Sequence, residues 1–263
     1  MSPSVRALRD VVASCGPMVV AFSGGVDSAL LAWVANDVMG DKALAVTAVS
    51  PSLAPSELSD CRSFASRWGL RWMEVRTDEG SRAEYQANGT DRCYHCKTEL
   101  MDHLVPLAVS GGAVVALGVN LDDLADHRPG QRAAKERGAV FPLVEAGLSK
   151  SAVRALAKEV GIDAWDKPAG ACLASRVPYG TPVTFETLDR VARAEEGLRA
   201  LGFRELRVRH YGDVARLELG PAEIQDGFAR RSAVVDAVKA AGYRYVTLDL
   251  EGFRSGNLND GIR

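Results

Sequence analysis

The apolar runs at residues 18–22 and 29–34 are separated by the string Ser23-Gly24-Gly25-Val26-Asp27-Ser28. A valine-rich segment of strand length that ends on a glycine pair and continues into a helix-compatible run reads as strand, tight turn and helix start. Gly24 and Gly25 permit positive φ and let backbone come close to a ligand. Ser23, Asp27 and Ser28 add hydroxyls and a metal-binding carboxylate, at a point where successive N–H groups and a helix N-terminus favour an anion. The string therefore reads as a phosphate cradle. It is not a GxxxxGK[ST] loop, so the lysine that reaches the terminal phosphates in that motif is absent. An ordinary Gly-Ser turn between strand and helix is the plainer alternative.

The flanking pattern extends this junction into a fold. Residues 3–13 read as an amphipathic helix with Val5, Leu8, Val11 and Val12 on one face. Residues 28–38 form the expected crossover helix, ended by Gly40 and Asp41. Residues 43–49 make a continuous small-apolar strand, as expected of one covered on both faces. A helix is expected over 53–68, with Leu58, Cys61, Phe64, Ala65 and Trp68 at helical spacing, so Cys61 reads as core. Further strands are expected over 70–75 and 113–117. Strands alternating with helices predict an α/β fold with a doubly wound parallel sheet, its ligand lying outside the carboxyl ends of the strands.

The regularity breaks where chemistry-bearing residues gather. A polar stretch, 78–91, leads to Arg92-Cys93-Tyr94-His95-Cys96-Lys97, with a helix expected over 97–108. A CxxC pair can be a redox dithiol, half of a zinc site or part of an iron–sulfur site. No second CxxC exists, and neither His95 nor His103 falls at finger spacing. Past the fourth strand, Asn120, Asp122, Asp123 and Asp126 can hold a nucleotide or Mg²⁺ with its waters, or cap the next helix. A turn is expected over 127–130, a short helix over 131–137 and an apolar link over 140–143. Leu148-Ser149-Lys150-Ser151 opens a helix expected over 151–160, with serine at its cap and Lys150 a solvated helix-start residue on the plain reading. A second loop runs over 167–180, framed by prolines and glycines, and carries Cys172 between Lys167 and Arg176, a setting that favours a thiolate.

From residue 183 the pattern changes. A helix over 183–201 precedes strands over 205–210 and 214–219, joined at Tyr211-Gly212-Asp213. A helix opening at Pro221, another over 232–241 and a last strand over 243–250 complete a smaller C-terminal α+β domain, read as helices on one face of an antiparallel sheet. The expected organisation is 1–166 for the nucleotide domain, 167–182 for the cysteine loop and linker, and 183–263 for the second domain. Arg207 and Arg209 alternate with Leu206 and Val208, which puts both guanidiniums on one face, suited to a phosphate or carboxylate.

Composition excludes several classes. The chain has 263 residues, 47% hydrophobic and 25% charged, enough for one large core or two smaller ones. Its net charge of −2 argues against general nucleic-acid binding. No apolar run reaches membrane-spanning length and residues 1–10 show no signal-peptide core, so no membrane partner is expected and the cytoplasm is the expected compartment. Five cysteines, an odd number, do not suit a disulfide framework.

Ser23-Gly24-Gly25-Val26-Asp27-Ser28 resembles the pyrophosphate-loop signature of ATP pyrophosphatases, which adenylate a substrate and release pyrophosphate. Taken with Cys172-Leu173-Ala174-Ser175-Arg176-Val177-Pro178-Tyr179-Gly180, it resembles the LarE sulfur transferases, which make the nickel-pincer nucleotide cofactor of lactate racemase. The resemblance runs nearly end to end, and the second string is the specific one. It implies ATP and Mg²⁺, adenylation of a carboxylate of pyridinium-3,5-biscarboxylic acid mononucleotide, and conversion of that carboxylate to a thiocarboxylate. It further implies that Ser23, Gly24, Gly25, Asp27, Ser28, Asn120, Asp123 and Lys150 bind ATP, with Asp27 also on Mg²⁺. Ser175, Arg176, Arg207, Arg209 and Arg254 are implied to bind substrate, and Glu195 and Asp226 to act in catalysis, with Glu196 as the neighbouring alternative to Glu195.

In some members of that family the sulfur comes from a cysteine at the position of Cys172, leaving dehydroalanine. Others carry cysteines at the positions of Cys93, Cys96 and Cys172 and hold a [4Fe-4S] cluster with one iron open for sulfide. This chain has all three cysteines, which favours cluster-bound sulfide as sulfur source, and consumption of Cys172 stays open. The resemblance also implies a homo-oligomer, a hexamer in the family, and leaves the sulfide source unidentified. Two other classes remain: a pyrophosphate-loop amide ligase or tRNA thiolase, and a non-enzymatic nucleotide or iron–sulfur sensor.

Overall fold

The computed structural model describes residues 2–125, 129–168, 170 and 172–254. The chain gathers into two compact units, one of residues 1–82 with 91–170 and one of residues 83–90 with 171–263.

In the first unit, β1 (Met18–Ala21), β2 (Ala43–Val49), β3 (Trp72–Arg76) and β4 (Val114–Leu117) form an all-parallel sheet in the order β3-β2-β1-β4. The central strand is apolar throughout because both of its faces are covered. Met18 and Val20 point to one side, into a core with Val5, Leu8 and Val12 of α1 (Pro3–Cys15), Leu30, Leu31 and Val34 of α2 (Val26–Met39) and Cys61 and Phe64 of α3 (Pro55–Arg67). After the one-turn α4 (Ala83–Gln86), the chain enters α5 (Arg92–Ser110), α6 (Pro129–Glu136), α7 (Pro142–Glu145) and α8 (Lys150–Glu159). Val19 points to the other side of β1 and meets Met101, Leu104 and Ala108 of α5 and Ala134 of α6. Val153, Leu156 and Ala157 of α8 return to the first core. The doubly wound arrangement thus follows from the period-two alternation of an all-apolar strand. It is a pyrophosphate-loop ATPase fold.

Two local expectations are corrected. The helix expected to begin at Lys97 begins at Arg92, so Cys93 and Cys96 lie within its opening turns rather than before it. Tyr94 N–H and His95 N–H both donate to the Asp91 carbonyl, which starts the helix there. Gly130 lets α6 press on that opening, since a Cβ at Gly130 would stand 2.9 Å from the Cys93 carbonyl oxygen. Residues 140–143 are not a simple link: Val140 bridges Ala116 in parallel, extending the sheet edge, and Pro142 starts α7. Asp126, His127 and Arg128 lie outside the described residues.

In the second unit, α9 (Phe185–Ala200), capped by Thr184 through its side chain, packs with β5 (Leu206–Tyr211), β6 (Val214–Leu219) and β7 (Tyr245–Leu248). The helices α10 (Ile224–Ala229) and α11 (Arg231–Ala240) lie between β6 and β7 in the chain. The sheet is mixed, not antiparallel: β5 and β6 are antiparallel, but β6 and β7 are parallel, because the helical crossover returns the chain to the starting end before the next strand. Leu206, Val208, Leu217 and Leu219 join Ala194, Leu198, Val234 and Val238 in its core. Residues 83–90 belong here through Asn88, buried at φ 55°, whose amide nitrogen donates to the carbonyls of Val177 (3.3 Å), Pro178 (2.8 Å) and Thr181 (2.8 Å). Left-handed backbone is tolerable for asparagine, and its side-chain amide ties three carbonyls of the 177–181 stretch to this segment.

Candidate functional site

The site in the first unit starts at the carboxyl end of β1. Gly24 takes φ +71°, and Gly25 leads into α2 with no side-chain cap, which leaves the first N–H groups of the helix as donors for an anion. Ser28, buried, closes the loop from inside: its hydroxyl donates to the Gly25 carbonyl at 3.0 Å and accepts from Ser23 N–H at 3.2 Å. Two glycines set the clearance around this turn. A Cβ at Gly24 would lie 3.0 Å from Cys61 Sγ, and one at Gly118 would lie 2.6 Å from Ser28 N. No real Cβ fits at that second distance, so only glycine lets the exit of β4 press against the first turn of α2.

Asp27 stands in that first turn. Its Oδ1 accepts from Asn120 Nδ2 at 3.1 Å, and its Oδ2 is paired with the Lys150 ammonium. Asn120, buried beyond β4, is locked by its own neighbours: its side-chain oxygen accepts from Asp122 N–H and Asp123 N–H, and its N–H donates to Asp123 Oδ2. Asp122 accepts from Lys150 N–H at 2.8 Å, which fixes the start of α8. The structure therefore brings Asp27, Asn120, Asp123 and Lys150 to the glycine loop. The amide donors at the start of α2, the positive-φ glycine and a carboxylate facing a partly exposed ammonium fit a Mg²⁺–ATP complex.

Lys167 is bound by carboxylates of its own unit. Its ammonium lies 2.7 Å from Glu57, 2.7 Å from Asp60 and 3.5 Å from the Gly24 carbonyl. Burial works against its charge, but the two carboxylates outweigh that and raise its pKa above the ordinary lysine value. Cys61, beneath Gly24, is a buried thiol pushed up to about 11 by burial, so it stays protonated and serves the core. Cys93 is exposed and Cys96 half-buried, three residues apart on α5, hence neighbours on one helix face.

In the second unit Cys172 is exposed at the head of a 3₁₀ turn, Leu173–Arg176, and two buried arginines hold that turn by its backbone. Arg176 donates through Nη1 to the Cys172 carbonyl (3.1 Å) and the Ser175 hydroxyl (3.0 Å), while its Nε and Nη2 form a fork on Glu195 at 2.7 and 2.9 Å. Arg209 donates to the Ser175 carbonyl at 2.8 Å and forks on Glu218 at 2.9 and 2.7 Å. Glu195 also accepts from Val208 N–H at 3.1 Å. Burial would raise its pKa, but the Arg176 guanidinium holds it below the usual carboxylate range. Glu196, the next residue on α9, is exposed.

Arg207 lies on the same face of β5, 4.8 Å over the Phe253 ring, and donates to the Leu206 carbonyl. Burial, together with the neighbouring Arg176 and Arg209, pushes its pKa down to about 10. Cys172, Ser175, Arg176, Glu195, Arg207 and Arg209 thus form one neighbourhood. Asp226 stands apart on α10, exposed and paired with Arg230, and Arg254 pairs with Glu251 at 2.5 Å. Sequence reasoning missed Glu218, Asn88 and the spatial role of Gly118. The alternation on β6 and a glycine directly after a strand were the available signals for Glu218 and Gly118.

Among the described residues, no group of three or more His, Cys, Asp or Glu side chains stands arranged to hold a metal ion, and no helix is long and apolar enough to cross a membrane. Cys93 and Cys96 belong to the first unit and Cys172 to the second; in kind and number the three thiols match the thiolate donors of an iron–sulfur cluster with one open iron.

Comparison with known proteins follows the same lines. The NAD synthase family matches residues 1–100, the stretch that contains the glycine loop. A protein of Synechocystis sp. described as uncharacterized is 49% identical over 262 residues, 98% of either chain. An uncharacterized protein of Methanocaldococcus jannaschii is 26% identical over 239 residues, covering 90% of this chain and 91% of that one. The pyridinium-3,5-bisthiocarboxylic acid mononucleotide synthase of Lactiplantibacillus plantarum is 40% identical over 258 residues, covering 97% of this chain and 92% of its own length. Likeness of that degree along the whole length settles the family: the chain belongs to the LarE family of pyrophosphate-loop, ATP-utilising sulfur transferases.

Proposed function

We propose that the chain adenylates a carboxylate of pyridinium-3,5-biscarboxylic acid mononucleotide and converts it to the thiocarboxylate, a step toward a nickel-pincer nucleotide. The observation that carries this reading is the end-to-end likeness to the Lactiplantibacillus plantarum synthase. The site supports the first half-reaction directly. The open N–H groups of α2 and the glycine turn receive the phosphates, Asp27 takes Mg²⁺, and Lys150, released from Asp27, meets phosphate charge. A substrate carboxylate oxygen attacks the α-phosphorus and pyrophosphate leaves. Sulfur then displaces AMP from the acyl carbon, giving the thiocarboxylate.

For the sulfur, Cys93, Cys96 and Cys172 would together hold a [4Fe-4S] cluster, which when bound supplies sulfide at its open iron. The second reading rests on the exposure of Cys172: its Sγ attacks the acyl carbon, and β-elimination across Cα–Cβ then releases the sulfur to the product and leaves dehydroalanine. In either case Arg176 and Arg209 present Cys172 by gripping the carbonyls of its turn. Arg176, Arg207 and Arg209 gather three guanidiniums in the second unit, which supports binding of the substrate phosphate with Ser175 and Arg254. Glu195, with both oxygens on Arg176, acts as a positioning residue, and Asp226 is a candidate acid–base group by exposure. The protein works in the cytoplasm as a homo-oligomer on this reading.

The test is ATP–pyrophosphate exchange with candidate acceptors. Exchange and AMP formation that depend on the pyridinium dicarboxylate support the proposal. AMP formed with ammonia and a different carboxylate, or with tRNA, supports a ligase or thiolase instead, and no exchange with any acceptor supports a sensor.

A further inference from the structure

The chemistry at Asp27 leaves Glu79 without a role. Glu79 follows β3, is 3% exposed, and accepts at Oε1 from the hydroxyls of Ser50 (2.5 Å) and Ser52 (2.7 Å). Ser52 N–H donates in turn to the Ser50 hydroxyl at 3.2 Å, so the two serines are set as a unit. Among the described residues no cation pairs with Glu79 and no donor reaches its Oε2. Both hydroxyls fall on one oxygen, and Oε2, which is not among the fully enclosed side-chain atoms left without a partner, stays open to donors from a ligand.

The sheet says where those donors come from. Thr77 N–H donates to the Val49 carbonyl, which sets the exit of β3, with Glu79, beside the exit of β2, with Ser50 and Ser52. Phe22 N–H donates to the Val46 carbonyl, which sets the glycine loop at the next exit along the same carboxyl edge. At ordinary strand spacing Glu79 lies about 10 Å across the edge from that loop. The opposite flank, beyond β4, is filled by Asn120, Asp123 and Lys150 around Asp27. A nucleotide whose phosphates rest on the loop therefore extends across β2 and β3. A carboxylate repels phosphate, and an adenine edge sets one amino donor beside a ring-nitrogen acceptor that opposes it, whereas a vicinal diol offers it two O–H donors.

We propose that Glu79, set by Ser50 and Ser52, accepts hydrogen bonds from the ribose hydroxyls of ATP. This rests on the ATP-activation reading above. The experiment is calorimetric binding of ATP, 2′-deoxy-ATP and 3′-deoxy-ATP without acceptor, to wild type, Glu79→Gln and Ser52→Ala. Wild type should bind at least one deoxy nucleotide about tenfold more weakly than ATP, and Glu79→Gln should bind ATP about tenfold more weakly while losing that discrimination. A purely structural glutamate would not move the discrimination ratio. Equal affinity of wild type for all three nucleotides, or full discrimination retained in folded Glu79→Gln, overturns the proposal. If Glu79→Gln does not fold, the wild-type ratios and their reduction in Ser52→Ala decide. Wild type that binds no nucleotide at all overturns the activation reading, and this one with it, and is told apart from failure of the ribose contact alone by the ATP isotherm.

Discussion

The glycine loop and the cysteine turn handle charge in opposite ways. At residues 23–28 the chain makes its positive field from uncapped backbone N–H groups and places its one carboxylate, Asp27, against a partly exposed lysine that can leave. At Leu173–Arg176 the field comes from guanidiniums sunk in the second unit, each forked on a buried glutamate, with a remaining N–H turned to a carbonyl of the turn. The first arrangement keeps its charges exchangeable, as a site that must admit and release Mg²⁺ and pyrophosphate requires. The second spends its hydrogen bonds on holding a cysteine in place. On the proposed function, rigidity belongs where sulfur is aimed, and slack belongs where a triphosphate comes and goes.

Removing one partner of a buried pair tests the rigid half most severely. Glu195→Ala should destabilise the second unit by about 3–5 kcal/mol, read by urea unfolding, because the buried Arg176 loses the carboxylate on which its fork rests. Its charge can be tested by pH. Glu195 titrates below the ordinary carboxylate value in the folded state, so its contribution is fully present above the unfolded pKa of about 4.3 and is lost as pH falls through the depressed folded value. Glu195→Gln should remove that part of the acid dependence, and an unchanged acid transition would show that the pair is not what holds the turn.

On the exchangeable half, Asp27→Asn should lower kcat/KM for AMP formation by roughly 10²–10³ while leaving the urea midpoint nearly unchanged. A matching loss of stability would erase the contrast between the two regions. Gly118→Ala comes next, at about 1–3 kcal/mol, because its Cβ would meet Ser28 N and drive the β4 exit away from α2. Weakened ATP binding with the cysteine turn unaffected is the expected pattern. The smallest effect is Thr184→Ala, about 1 kcal/mol from loss of the cap on α9, with no change in ATP affinity.

The same contrast explains what could be read from the residue string. The glycine loop is local: Ser23 and Ser28 bond each other within one turn, and its strand and helix announce themselves by period. The parallel order around β1 follows from an apolar strand flanked by helices of matching stripe. The cysteine turn depends on Glu195, which meets Arg176 only after α9 has packed, and on Glu218, which reaches Arg209 across the β5–β6 hairpin and lies far along the chain from the turn itself. Asn88 is less legible still, since nothing in a polar stretch says that one amide will satisfy carbonyls near residue 180. The parallel β7 was hidden for a similar reason, because strand direction is set by the helical crossover and not by the strand's own residues.

Sulfur delivery is tested most directly by anaerobic purification with iron and sulfide analysis, followed by intact mass after turnover with ATP and the pyridinium dicarboxylate. The account predicts a brown protein with about four irons per chain, thiocarboxylate formed with AMP, and a polypeptide mass that does not change over many turnovers. A colourless protein that makes one product and loses the mass of one hydrogen sulfide would contradict it and assign the sulfur to Cys172.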